Sequence, residues 1–238
     1  MSILRPNLGK LIKFYSHSDK ELIFDIKKDI ELEFKHADAL QGLCEYPLPI
    51  PYYRAFWSRA KRHVYGYKDL NKALNEFFKE FPSSYKKREP YNRAANQFLK
   101  WYDEKRRWRN EDFTEDKSKY TFTSFHLGQE NPIKLKNEDF LAIKLNNEQK
   151  KIIYSCFSPR TMISSEGARI ALWIMQEAFP NVPANSFRFF DVLHARSYGL
   201  IDYQLIGNEK QLLSSRYKLI LNAYEIERNK QLEKREAA

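Results

Sequence analysis

Residues 100–110, KWYDEKRRWRN, set five positive side chains and three large aromatic rings within eleven positions. Cations at that density attract phosphates, and aromatic or guanidinium planes stack on exposed bases, so the stretch carries the chemistry of a nucleic-acid contact. The same residues suit an ordinary helix. Phe98, Trp101 and Trp108 can share one buried stripe while Lys100, Arg106, Arg107 and Arg109 spread over the remainder, their stems covering apolar surface.

Two neighbouring segments favour the first reading. Lys86, Lys87 and Arg88 precede this helix in PSSYKKREP, and Arg54, Arg59, Lys61 and Arg62 lie on the helix before that. The chain as a whole carries a net charge of +10, and its location is informative: residues 1–50 are net −1, residues 51–110 are net +10 with 16 Lys/Arg against 6 Asp/Glu, and residues 111–238 are net +1. An excess concentrated in one quarter of the chain can build a surface potential that recruits phosphates or an acidic protein, which a diffuse excess does not.

Other constellations give less. Cys44 and Cys156 stand far apart with no CxxC pair, so neither a disulfide framework nor a zinc site is expected. The five histidines, His17, His36, His63, His126 and His194, share no ligand spacing, and no metal or cofactor is expected. Seven glycines leave no phosphate-cradling glycine loop. The serines of ISSEGAR suit a helix N-cap. Asp191, set in the apolar run FRFFDVL, must find a buried partner, and a hydrogen-bonded structural role accounts for it.

The elements that must position these residues follow from periodicity. Ser18 and Glu21 form a capping box ahead of a helix that runs toward Gly42 through Leu22, Ile23, Ile26, Ile30 and Phe34. The prolines of EYPLPIPYY interrupt it, and Pro51 opens a helix toward Gly66. A third helix spans about 69–81, and Pro90 begins a fourth. Near Lys117 the period changes to two: TFTSFHL, PIKLK, FLAIKL and KIIYSCF read as a small antiparallel meander over 119–157. A helix capped at Ser164 or Ser165, a buried strand FRFFDVL and a last helix from about Asn208 complete the chain.

The order meander, helix, strand, with Lys144 in Ala142–Ile143–Lys144, resembles the core of PD-(D/E)xK nucleases over residues 119–195. In that family an aspartate on one strand and a D/E-x-K on the next hold a divalent metal, and the lysine assists the attacking water. Lys144 matches the lysine, whereas Ala142 stands where the family has a metal-binding acid, and Asn131–Pro132 is a poor match to Pro-Asp. Glu138 and Asp139 would be displaced ligands on that reading, although a turn accounts for NED. The resemblance therefore implies a degenerate core that binds and does not cut.

The expectation is an α+β protein: a basic helical region over 1–118, then a small mixed, mainly antiparallel sheet with packed helices over 119–238. No apolar run reaches the roughly 18 residues of a membrane span, and no secretory signal is visible, so a cytoplasmic location is expected. The function expected is non-catalytic nucleic-acid binding, with phosphates held by Arg54, Arg59, Lys61, Arg62, Lys86, Lys87, Arg88, Arg106, Arg107 and Arg109. The alternatives are an interaction subunit that meets an acidic protein partner, and a divergent metal-dependent nuclease using Lys144.

Overall fold

A computed structural model describes residues 6–41, 52–104, 113–116, 123–126, 132–135, 139–145 and 150–237. The chain begins with α1 (Leu8–Ser16), started by Asn7, whose Oδ1 accepts from the Lys10 amide at 2.8 Å. Ser18 then caps α2 (Asp19–Leu40) in the capping box with Glu21. α3 (Arg54–Val64) and α4 (Leu70–Glu80) follow, the latter capped by Asp69, which accepts from the Lys72 amide at 2.9 Å. A 3₁₀ segment from Pro82 to Lys87 leads into α5 (Arg88–Glu104).

The main sheet contains β1 (Phe113–Glu115), β4 (Phe140–Leu145), β5 (Lys150–Cys156), β6 (Phe187–Asp191) and β7 (Arg196–Gly199), in that spatial order. Neighbours run antiparallel except β5 and β6, which are parallel because α6 (Ser165–Ala178) lies between them as a crossover. Among the described residues, β2 (Thr123–His126) and β3 (Pro132–Leu135) pair only with each other. The continuous meander expected over 119–157 is thus split: its first two runs form a separate ribbon, and β1 supplies the edge of the main sheet. The chain ends in α7 (Glu209–Glu236).

Helices cover both faces of the sheet, which is why FLAIKL, KKIIYSC and FRFFD read as nearly unbroken apolar runs. On one face Phe140, Ala142, Ile152, Tyr154 and Phe189 pack with Leu8 and Ile12 of α1, with α6, and with Leu213 of α7. On the other, Leu141, Ile143, Ile153 and Phe190 pack against Phe56, Leu74, Phe98 and Trp101 of α3, α4 and α5. A third cluster joins Leu22, Ile26 and Ile30 of α2 to Ile220 and Tyr224 of α7. The architecture is α+β, and both sheet-facing cores draw on residues from either side of position 118. Strand structure already begins before that position, at β1, and the buried clusters cross it. Among the described residues no helix is long and apolar enough to cross a membrane.

Candidate functional site

α1 meets the carboxyl end of β5 at Gly9. The Gly9 amide donates to the Tyr154 hydroxyl at 3.1 Å, that hydroxyl donates to the Asp139 carboxylate at 3.3 Å, and the Cys156 thiol donates to the Gly9 carbonyl at 3.6 Å. Burial, reinforced by Asp139, holds the Tyr154 hydroxyl well above its ordinary pKa. Burial and the charge of Asp191 do the same to the Cys156 thiol, which therefore stays protonated and unreactive. Together these residues form the floor of a cleft of about 850 Å³, whose walls are α1, α2, α3 and the segment after β5.

Helical spacing selects what each wall presents. On α3, Arg54, Trp57, Ser58 and Lys61 recur at i, i+3, i+4 and i+7 and line the cleft. Tyr52 and Tyr53 precede them. Tyr53 stacks on Phe157, centroids 4.6 Å apart and planes 8° from parallel, whereas Tyr52 remains 43% exposed. From α1 come Lys10 and Lys13, and from α2 come Asp25, Lys28 and Asp29.

The two helices are cross-linked by ion pairs, Lys10 with Asp29 and Lys13 with Asp25. Burial opposes the Asp25 carboxylate, but hydrogen bonds and charge from His17, 3.0 Å away, and from Lys13 outweigh it and hold its pKa well below the usual range. At Asp29 burial dominates over Lys10 and the pKa is raised. Arg160 completes the rim. Its guanidinium lies over the Phe24 ring at 4.3 Å and 3.9 Å from Asp25, and its segment is anchored by Thr161, which donates to Glu21 at 2.9 Å and is hydrogen-bonded to His17 at 2.8 Å.

The basic residues singled out in the sequence fall into different settings. Arg54 and Lys61 line the cleft. Arg59 is turned toward α4: its guanidinium sits 4.2 Å over the Phe77 ring and donates to the Ala55 carbonyl at 2.8 Å. Arg62 and Lys86 are exposed and outside the cleft lining. Arg88 lies over Tyr85 at 5.7 Å, while Lys87 lies 5.3 Å over Tyr52 and so reaches the cleft rim. Arg106, Arg107 and Arg109 lie outside the described residues, as do Trp108, Asn131, Glu138 and Cys44. The described part of KWYDEKRRWRN is core on one face, with Trp101 stacked 4.1 Å from Phe190.

Lys144 stands at the far end of β4 from Asp139, roughly 17 Å away by strand rise. It faces Thr114 and Lys150 across the ladders, and Lys150 lies 3.6 Å from Asp116. Asp191 is fully buried. Its Oδ2 accepts from the Ile163 amide at 3.2 Å and is hydrogen-bonded to His194 Nδ1 at 2.9 Å, which ties the end of β6 to the segment before α6. Burial raises its pKa and His194 opposes that rise. Ser164 caps α6, accepting from the Gly167 amide at 3.0 Å. Among the described residues no group of three or more His, Cys, Asp or Glu side chains is arranged to hold a metal ion.

Sequence reasoning passed over Lys10, Lys13, Lys28 and Arg160. The pair Lys10 and Lys13 is visible at i, i+3 in LGKLIKFYS, but summing charge along 1–50 cancels it against the acids of α2. No protein-family model matches the chain, and no curated protein or solved structure matches it.

Proposed function

We propose that this protein binds single-stranded nucleic acid in the cleft at the carboxyl end of β5. One observation carries the reading. Six cations from four chain segments, Lys10, Lys13, Lys28, Arg54, Lys61 and Arg160, line one cavity together with the exposed ring of Tyr52. Cations that track phosphates beside an aromatic platform are the two parts of a single-strand site. A cavity of about 850 Å³ lies in the range that takes small ligands, so it suits one or two unpaired bases, with the flanking phosphates of the strand along its rim, and not a duplex, whose bases are turned inward. Lys87, over the Tyr52 ring, extends the positive rim toward the 3₁₀ segment.

The nuclease-like resemblance supports binding without cutting. Its support is limited to the chain order of β4, β5, α6 and β6 within residues 119–195. However, Ala142 is buried where the family has an acid, and Lys144 is absent from the cleft lining. The reading assigns no catalytic step and places the protein in the cytoplasm, where the buried thiol of Cys156 stays reduced.

The test is anisotropy of a labelled oligothymidylate at low salt. Wild type binds the single strand more tightly than a duplex of equal length. The Arg54→Ala/Lys61→Ala variant loses roughly tenfold or more in affinity, while Lys218→Ala, an exposed cation on α7, leaves it unchanged. Absence of binding at about 50 mM salt, or equal losses in the two variants, would overturn the proposal.

A further inference from the structure

The cleft is not uniformly positive. Its six cations, Lys10, Lys13, Lys28, Arg54, Lys61 and Arg160, stand on the walls and the rim, and three carboxylates line the same space: Asp25 and Asp29 on α2, and Asp139 on the floor. Asp25 is engaged by Lys13, His17 and Arg160, and Asp29 by Lys10. Asp139 is set differently. It immediately precedes β4, its carboxylate accepts from the Tyr154 hydroxyl at 3.3 Å, and its main-chain carbonyl accepts from the Ser155 hydroxyl at 3.2 Å. The Tyr154 hydroxyl is itself fixed, because it accepts from the Gly9 amide at 3.1 Å. Two hydroxyls of β5 therefore hold Asp139 in a defined place. A carboxylate there repels a phosphate, so the part of a strand that reaches the floor is a base, with its flanking phosphates on the cationic rim.

Resting on the reading of the cleft as a single-strand site, we infer that Asp139 makes it selective for guanine, whose Watson–Crick edge the two carboxylate oxygens accept together. Stacking on the exposed ring of Tyr52 suits every base, so discrimination falls to the polar edge. An ionised carboxylate only accepts hydrogen bonds, at about four lone-pair sites, of which the Tyr154 hydroxyl uses one. Guanine sets two donors side by side, N1–H and the 2-amino group, which match the carboxylate fork. Adenine and cytosine place a ring-nitrogen acceptor beside their amino group, and thymine and uracil flank their one N–H with two carbonyls. With any of these four, one carboxylate oxygen faces a lone pair, and an unpaired polar group in a site is what rejects a wrong ligand most strongly. Asn7 adds to the match. It lines the cleft two residues before Gly9, its Oδ1 accepts from the Lys10 amide, and its NH2 is a donor of the kind that guanine O6 accepts.

Oligothymidylates carrying one central deoxyguanosine, deoxyadenosine, deoxycytidine or deoxyinosine test this by anisotropy at low salt, with the all-thymine strand as reference. Wild type binds the guanosine strand roughly tenfold more tightly than the adenosine, cytidine or all-thymine strand, the discrimination of about one bidentate pair. Deoxyinosine keeps N1–H but lacks the 2-amino group, so it loses most of that gain and reads the fork in the unaltered protein. Asp139→Asn keeps an acceptor for Tyr154 but replaces one oxygen by an NH2, so it abolishes the preference without weakening the all-thymine strand. A guanosine strand that binds no more tightly than the adenosine strand overturns the inference. So does an inosine strand equal to the guanosine strand, or a preference that survives Asp139→Asn. Failure of the parent reading is distinguishable: no strand binds, or Arg54→Ala/Lys61→Ala weakens none of them.

Discussion

If the cleft binds a single strand as proposed, its lining sets the salt dependence in numbers. On the proposed reading Lys28, Arg54, Lys61 and Arg160 meet backbone phosphates, while Lys10 and Lys13 stay ion-paired with α2. At about −0.7 per phosphate for single strands, four contacts give a log–log slope near −2.8, so affinity falls about 50-fold between roughly 50 and 200 mM salt. Arg54→Ala/Lys61→Ala removes two contacts, which takes the slope to about −1.4 and the loss over the same interval to about sevenfold. Anisotropy titrations of a hydroxyl-ended oligothymidylate across a series of KCl concentrations read both slopes. If the variant binds more weakly but its slope stays parallel to that of wild type, the two side chains do not contact phosphates and the reasoning is wrong.

Two further outcomes concern stability. Phe190 is fully buried and stacks on Trp101, so Phe190→Ala should cost about 3–5 kcal/mol in a urea unfolding series; a cost below about 1 kcal/mol would mean that α5 does not close on the sheet. Asp25 has a folded pKa depressed below its unfolded value, so its contribution is present above about pH 4 and is lost as pH falls toward the folded pKa. Asp25→Asn should therefore be less stable than wild type by about 2 kcal/mol at pH 7, with the gap constant down to about pH 5 and narrowing below pH 4. A gap that widens on acidification would contradict the assigned pairs with His17 and Lys13.

Local rules make much of the fold legible in the sequence. The Ser18–Glu21 box and the apolar period after it define α2, and prolines and caps define α3, α4 and α6 because these signals act within one or two turns. The apolar density of FLAIKL, KKIIYSC and FRFFD reflects burial on both sheet faces. α1 is not legible in the same way: it is nine residues long and most of its stability comes from packing on Tyr154 and α6. β1 and β7, three and four residues long, are too short and mixed in character to carry a period. The candidate site was legible only in Arg54 and Lys61, and in Lys87 at its rim. Its other cations lie more than twenty residues away in sequence, on α1, on α2 and after β5, and tertiary packing alone brings them together. Arg59 shows the converse, since a cation in the basic stretch is turned away by the ring of Phe77.

The cleft itself is tested most directly by amide hydrogen exchange with and without saturating oligothymidylate. Binding there slows exchange in residues 8–16, 52–61 and 157–161 and leaves the outer turns of α7 unchanged. Protection confined to other surfaces, or no protection under conditions where the strand is bound, would contradict the assignment of the cleft as the site.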